Sequence, residues 1–177
     1  MKAAFLLLGS LVLFCDPLRG QSIPVTDARS LADNVIKLPD DLKGKPAVLV
    51  LGFSKSSSRQ TKPWADELNR DFGSDPKIAF YQLPMLQEVP CPLRGFVLQG
   101  MRKPLSTADR KHFVPVFDNE AAWKVAAHFV APDEAYVLLV DGFGRIEWQA
   151  SGVFGDEKYE ALRKRAITLE QSVAPHN

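Results

Sequence analysis

The run Val48-Leu49-Val50-Leu51-Gly52-Phe53 constrains the fold of this chain more than any other segment. It is apolar without alternation, which predicts a central strand buried on both faces and covered by helices on each side. The polar stretch Ser54-Lys55-Ser56-Ser57-Ser58-Arg59-Gln60 follows, and Trp64, Leu68 and Phe72 then recur at helical spacing. Ser57 with Gln60 three residues on has the form of a capping box. Pro63 predicts a kink or a restart in this helix, and Gly73 a left-handed close. Ile78 to Leu83 reads as a second strand, stopped by Pro84. Strand, helix and strand in that order predict a parallel pair joined by a crossover.

The remaining elements are uneven in clarity. Residues 21–45 read as an irregular extension, with one helical turn at Ser30-Leu31-Ala32. Residues 84–117 are punctuated by Pro90, Pro92, Pro104 and Pro115, and read as an insertion with a short helix over Arg94 to Met101. Asp118 and Asn119 are N-cap candidates for a helix to Phe129, with Ala122, Val125, Ala126 and Phe129 facing inward. Tyr136 to Val140 predicts a strand, and Asp141-Gly142-Phe143-Gly144 turns it into Arg145 to Ala150 as a hairpin. Both glycines are expected to supply positive φ. Asp156 caps a last helix whose inner face is Tyr159, Leu162, Ala166 and Leu169. Trp64 and Trp148 are expected in the core.

At the N-terminus, Met1-Lys2 precedes a mostly apolar run from Ala3 to Phe14, the pattern of a secretory signal. A run this short does not span a bilayer, which needs roughly 20 apolar residues. Cleavage is expected after Gly20, placing the protein outside the cytoplasm (periplasmic or secreted). Lipidation at Cys15 fits less well, because Phe14 stands where a small residue is usual. About 155 residues then remain, enough for one domain with a single core over 46–170 and a frayed tail from 171. The net charge of +1 gives no reason to expect nucleic-acid binding. Of the two cysteines, only Cys91 survives cleavage, so no internal disulfide is expected.

The order strand, helix, strand, insertion, helix, hairpin, helix resembles the thioredoxin-like superfamily. That resemblance implies an α/β three-layer sandwich: a mixed central sheet ending in a β-hairpin, with helices on both faces. Gly52-Phe53-Ser54 and Val140 to Ile146 are similar to copper-chaperone and thiol-reductase members. Those families carry two cysteines at the strand-to-helix junction. Aligned on Gly52-Phe53 they fall near Ser56 and Gln60; aligned on Pro63 they fall at Lys55 and Ser58. Neither register holds a sulfur. A serine hydroxyl cannot replace a thiolate in disulfide exchange or copper relay. The resemblance also places a cis-proline just before the strand leading to the hairpin, where this chain has Ala135.

A second resemblance rests on Tyr136-Val137-Leu138-Leu139-Val140-Asp141 and Gly144 to Gly152, which are similar to the "ATP-ten" family of mitochondrial ATP synthase assembly proteins and their bacterial relatives. Glu147 departs from the arginine that family favours. The resemblance implies a non-catalytic assembly or chaperone role, with a membrane-associated synthase subunit as partner.

Three functions therefore stand open. The first is binding or assembly without redox chemistry, with Arg94, Arg102, Lys103 and Arg110 as a basic partner face. The second is a divergent thiol-dependent reductase or peroxidase using Cys91, which would need an acidifying cation or a positioned base. The third is an anion or small-ligand binder at Ser56, Ser57, Ser58, Arg59 and Gln60, since a helix N-terminus favours negative charge. His112, His128 and His176 lack metal-ligand spacing, so no metal and no cofactor is expected.

Overall fold

The computed structural model describes residues 20–173. The expected signal and Cys15 lie outside the described residues, as do His176 and the last four positions. Ten regular elements follow in order: β1 Thr26–Arg29, β2 Val35–Leu38, β3 Ala47–Gly52, α1 Ser58–Phe72, β4 Ala79–Pro84, α2 Cys91–Arg102, α3 Glu120–Ala126, β5 Ala135–Val140, β6 Ile146–Ser151 and α4 Asp156–Val173. The main sheet has the order β4-β3-β5-β6. β3 pairs parallel with β4 and antiparallel with β5, and β5 pairs antiparallel with β6.

β3 is buried along its whole length, as its unbroken apolar run requires. Its side chains divide two cores. Val48 and Val50 pack with Trp64, Leu68 and Phe72 of α1 and Tyr159, Leu162 and Ala166 of α4. Leu49 and Leu51 pack on the opposite face with Trp123 and Ala126 of α3 and with Ile36 and Leu38 of β2. Two helical layers around a mixed sheet are thus the observed architecture.

Several local expectations change. The segment before Lys45 is not an irregular extension: β1 and β2 form an antiparallel hairpin, pairing Thr26 with Leu38 and Arg29 with Val35. Ser30-Leu31-Ala32 is its turn rather than a helix. Asp33 there takes φ 64°, and the Ser30 hydroxyl accepts the Ala32 and Asn34 amides. Four-residue strands carry too few alternating positions to be read from sequence, although Ile36 and Leu38 are the buried pair.

Nor is the stretch after Pro84 a simple insertion. After α2 the chain returns beside β4, with parallel bridges Gln82 to Phe113 and Met85 to Val116. It adds a short edge to the sheet. α2 begins at Cys91 and ends at Arg102, longer than the expected helix. α1 continues through Pro63 without a break, and Gly73 follows it at φ −59°, not left-handed. A Cβ at Gly73 would collide with Asn69.

α3 stops at Ala126, and its inner face is Trp123, Ala126 and the following Ala127; Ala122 and Val125 point outward. In the hairpin loop only Gly144 needs positive φ, at 81°. Gly142 is required for a different reason, since a Cβ there would meet the Gly44 backbone. Trp148 is half-buried against the α1/α4 core, whereas Trp64 is fully buried. Glu147 lies 3.8 Å from Arg165 of α4. Residues 171–173 belong to α4 rather than to a frayed tail. Among the described residues, no helix is long and apolar enough to cross a membrane.

Candidate functional site

The end of β3 runs into residues 54–57, whose backbone closes on itself before α1 begins. The Ser57 hydroxyl donates to the Ser54 carbonyl at 2.7 Å, and the Ser54 hydroxyl oxygen accepts the Ser57 amide at 3.0 Å. Ser58 donates its hydroxyl to the Lys55 carbonyl at 2.8 Å. The amides of Ser58, Arg59 and Gln60 donate to the carbonyls of Lys55, Ser56 and Ser57, and Thr61 donates to Ser57 as well. Every amide from Ser57 to Thr61 is therefore already paired. The anion cradle expected of this segment is filled by its own turn, and the expected capping box does not form. Gln60 instead accepts the Ala135 amide at 3.4 Å. Ser57 is buried, Ser56 and Gln60 are half-buried, and Ser58 and Arg59 are exposed.

Facing this turn is the loop that leads into β5. The Ser54 hydroxyl donates to Asp133 Oδ1 at 2.7 Å. Ala135, at the position where the resemblance puts a cis-proline, pairs with Gly52. The cis peptide bond among the described residues is at Leu38–Pro39, in the other sheet's connection. Tyr136 holds the loop: its phenol oxygen accepts the amides of Val130 and Ala131 at 2.8 and 2.9 Å and donates to the Ala131 carbonyl. The Tyr136 ring lies 5.4 Å from Phe53 and 5.8 Å from Phe129, and the Lys124 ammonium stands 5.0 Å from the Phe129 ring centre. Nothing in the sequence marks Asp133 as a site residue, whereas Ala135 stands at the cis-proline position of the resemblance. Tyr136 is marked by its place at the head of an apolar strand and of the second resemblance, but nothing in the sequence shows that it holds the loop.

Chemically, the junction offers a serine against an aspartate. An aspartate alone is too weak a base to activate a serine hydroxyl, and His128 is bound elsewhere, between Gln21 and Gln149. Cys91 is exposed at the first position of α2. Among the described residues, no group of three or more His, Cys, Asp or Glu is placed to hold a metal.

The structure disperses the basic face. Arg94 donates to the Val89 carbonyl and lies 4.5 Å from the Phe117 ring centre. Arg102 donates to the Leu31 carbonyl and pairs with Asp33 at 2.7 Å. Arg110 donates to the Arg102 carbonyl. These three brace the β1–β2 hairpin and the return segment, and Lys103 alone of the four is exposed.

A cleft of 380 Å³ opens at the opposite end of the sheet, where β3 and β4 begin, lined by Asp41, Lys45, Asp75, Tyr81, Lys111 and His112 among others. Burial, with Asp41 nearby, pushes the Tyr81 phenol upward. Both ring nitrogens of His112 lie 2.9 Å from a carbonyl oxygen, of Phe80 and of Gly73; the neutral ring donates to one of them, and only the imidazolium donates to both. Burial pushes its imidazole below the ordinary value, Lys111 acts in the same direction, and the two carbonyls with Asp109 only partly offset them. As pH falls through about 6.5 the unfolded chain therefore takes up this proton first. Stability from His112 is present above that pH and declines toward the lower folded value. The melting temperature should fall between pH 7 and 5, and less steeply in His112→Gln; equal slopes would contradict this account.

No protein-family model and no curated protein matches the sequence. Solved structures do match. The thioredoxin domain of a thiol-disulfide oxidoreductase from Bacteroides vulgatus is 18% identical with a TM-score of 0.57, over 82% of this chain and 95% of that one. An exposed lipoprotein thioredoxin from Streptococcus pneumoniae is 14% identical with a TM-score of 0.57, over 82% and 100%. BsSco, of the Sco family of cytochrome c oxidase assembly proteins, is 11% identical with a TM-score of 0.53, over 82% and 94%. The chain has the thioredoxin-like fold.

Proposed function

We propose that this chain is a thioredoxin-fold binding or assembly protein that carries out no dithiol exchange. One observation supports this above others: the strand-to-helix junction holds hydroxyls and an amide in place of sulfur, and those of Ser54, Ser57, Ser58 and Gln60 are engaged in internal hydrogen bonds. A dithiol step needs a second sulfur to resolve the mixed disulfide, and Cys91 is the single cysteine among the described residues. The partner is a membrane-associated subunit of an ATP synthase, as the resemblance of residues 136–152 implies. The similarity to a member of the Sco family of cytochrome c oxidase assembly proteins is in keeping with such a role. The protein is exported, with its signal removed near Gly20, and works without a metal or cofactor.

The second reading, a reductase or peroxidase working through Cys91, draws on the exposure of that thiol and on the thiol-disulfide oxidoreductases among the structural neighbours. The two part on one experiment. Wild type and Cys91→Ser are assayed for insulin-disulfide reduction and peroxide consumption, and both are used for affinity capture from detergent-solubilised membranes. Neither turnover, with the same synthase subunit captured by both proteins, is the expected result. Turnover lost in Cys91→Ser, or capture only as a mixed disulfide with wild type, would overturn the binding reading.

A further inference from the structure

Among the described residues, α2 is the one helix of more than ten residues with no buried side chain. Its 12 residues, Cys91 to Arg102, leave none below the surface. The inner side carries Arg94, Leu98 and Arg102, one turn apart, toward Phe117 and the β1–β2 hairpin. On the outer side Leu93, Phe96, Gly100 and Lys103 recur at steps of three, four and three. Leu93 is 54% exposed and Phe96 is 78% exposed. Two large apolar side chains on one helical face, held out into solvent, do not arise from core packing.

The charge around this face is one-sided. No acidic residue occurs from Val89 to Ala108, while Arg94, Arg102 and Lys103 fall in that stretch. The Asp33 carboxylate nearby is neutralised by Arg102. Glu88 and Asp109 flank the stretch, outside the helix. Lys103, exposed, lies on the same side as Phe96 and two turns along.

We propose that the outer face of α2 docks the protein on an anionic phospholipid surface, with Leu93 and Phe96 entering the headgroup boundary and Lys103 meeting lipid phosphates. Size favours lipid over a protein partner. A 12-residue helix is about 18 Å long, and one face of it covers only on the order of 200 Å². A stable protein interface needs about 800 Å² from each side. A bilayer demands no complementary shape and accepts a shallow wedge of two apolar side chains with a cation beside them. The docking face is independent of the junction and of the binding reading built on it.

The test is flotation of the protein, in the form its host produces, with vesicles of phosphatidylglycerol and phosphatidylcholine mixed, or of phosphatidylcholine alone. Wild type should float with the mixed vesicles at low salt and at least tenfold less with the neutral ones. Leu93→Ser with Phe96→Ser should lose at least tenfold of the mixed-vesicle binding while keeping the wild-type melting temperature, and Lys103→Glu should weaken it severalfold. If the double variant does not fold, Phe96→Trp supplies the readout: the emission it adds to that of the buried Trp64 and Trp123 and the half-buried Trp148 should be quenched by brominated lipid. Binding that ignores these substitutions, equal binding to neutral vesicles, added emission from Phe96→Trp that brominated lipid leaves unquenched, or a vesicle-free dimer dissolved by Phe96→Ser would each overturn the proposal.

Discussion

Trp64→Ala should lose about 3–5 kcal/mol of stability, the usual range for truncating a buried aromatic. Trp64 is wholly buried between α1 and the sheet. Its ring meets Phe154 edge-on at 5.3 Å and tilts toward Tyr159 at 6.5 Å, so it joins α1 to α4. Its indole N–H donates to the Gly152 carbonyl at 3.2 Å, just beyond β6. Removing the side chain opens a cavity where three elements meet and leaves that carbonyl without its partner. For a domain of this size the melting temperature should drop by roughly 6–20 °C. Trp148→Ala, in a half-buried position, should cost less. Equal losses for the two substitutions, or a Trp64→Ala protein melting within a degree of wild type, would show that this core is not organised as described.

Trp123→Ala should be comparably damaging, about 3–5 kcal/mol, but with a local signature. Trp123 is the fully buried residue of the short helix α3. Its N–H donates to the Thr26 hydroxyl at 3.1 Å, a buried bond that reaches from α3 to the first residue of β1. It shares a core with Ile36, Leu38 and Leu42 of the hairpin region. The substitution removes packing and a buried hydrogen bond together, leaving the Thr26 hydroxyl with only its bond to the Pro24 carbonyl. Amide exchange should accelerate most across Thr26 to Leu38, with β5 less affected. Trp123→Phe should keep much of the packing and lose mainly the hydrogen bond, at about 1 kcal/mol. Uniform acceleration across the whole sheet would refute a specific tether between α3 and the hairpin.

How much of this was legible beforehand differs by element. β3 and β5 were readable because their residues are apolar at every position, and α1 and α4 because three or more core residues repeat along each. The missing sulfur at Ser54 to Gln60 was equally plain, since it is a matter of residue identity alone. The basic face was not legible as such. Arg94, Arg102 and Arg110 look alike in sequence, and only their carbonyl, carboxylate and aromatic partners turn them inward.

What the sequence determined by itself, then, is the order of the long elements and the chemistry that the junction lacks. Tertiary structure decided the rest. The β1–β2 hairpin, the edge from Phe113 to Val116, the inward turn of Trp123 and the Ser54–Asp133 contact all join residues far apart or elements too short to show a period. A four-residue strand has two inward positions, and a seven-residue helix barely two turns. Local patterning at that length is weaker than the burial and hydrogen bonding supplied by the surface each segment packs against.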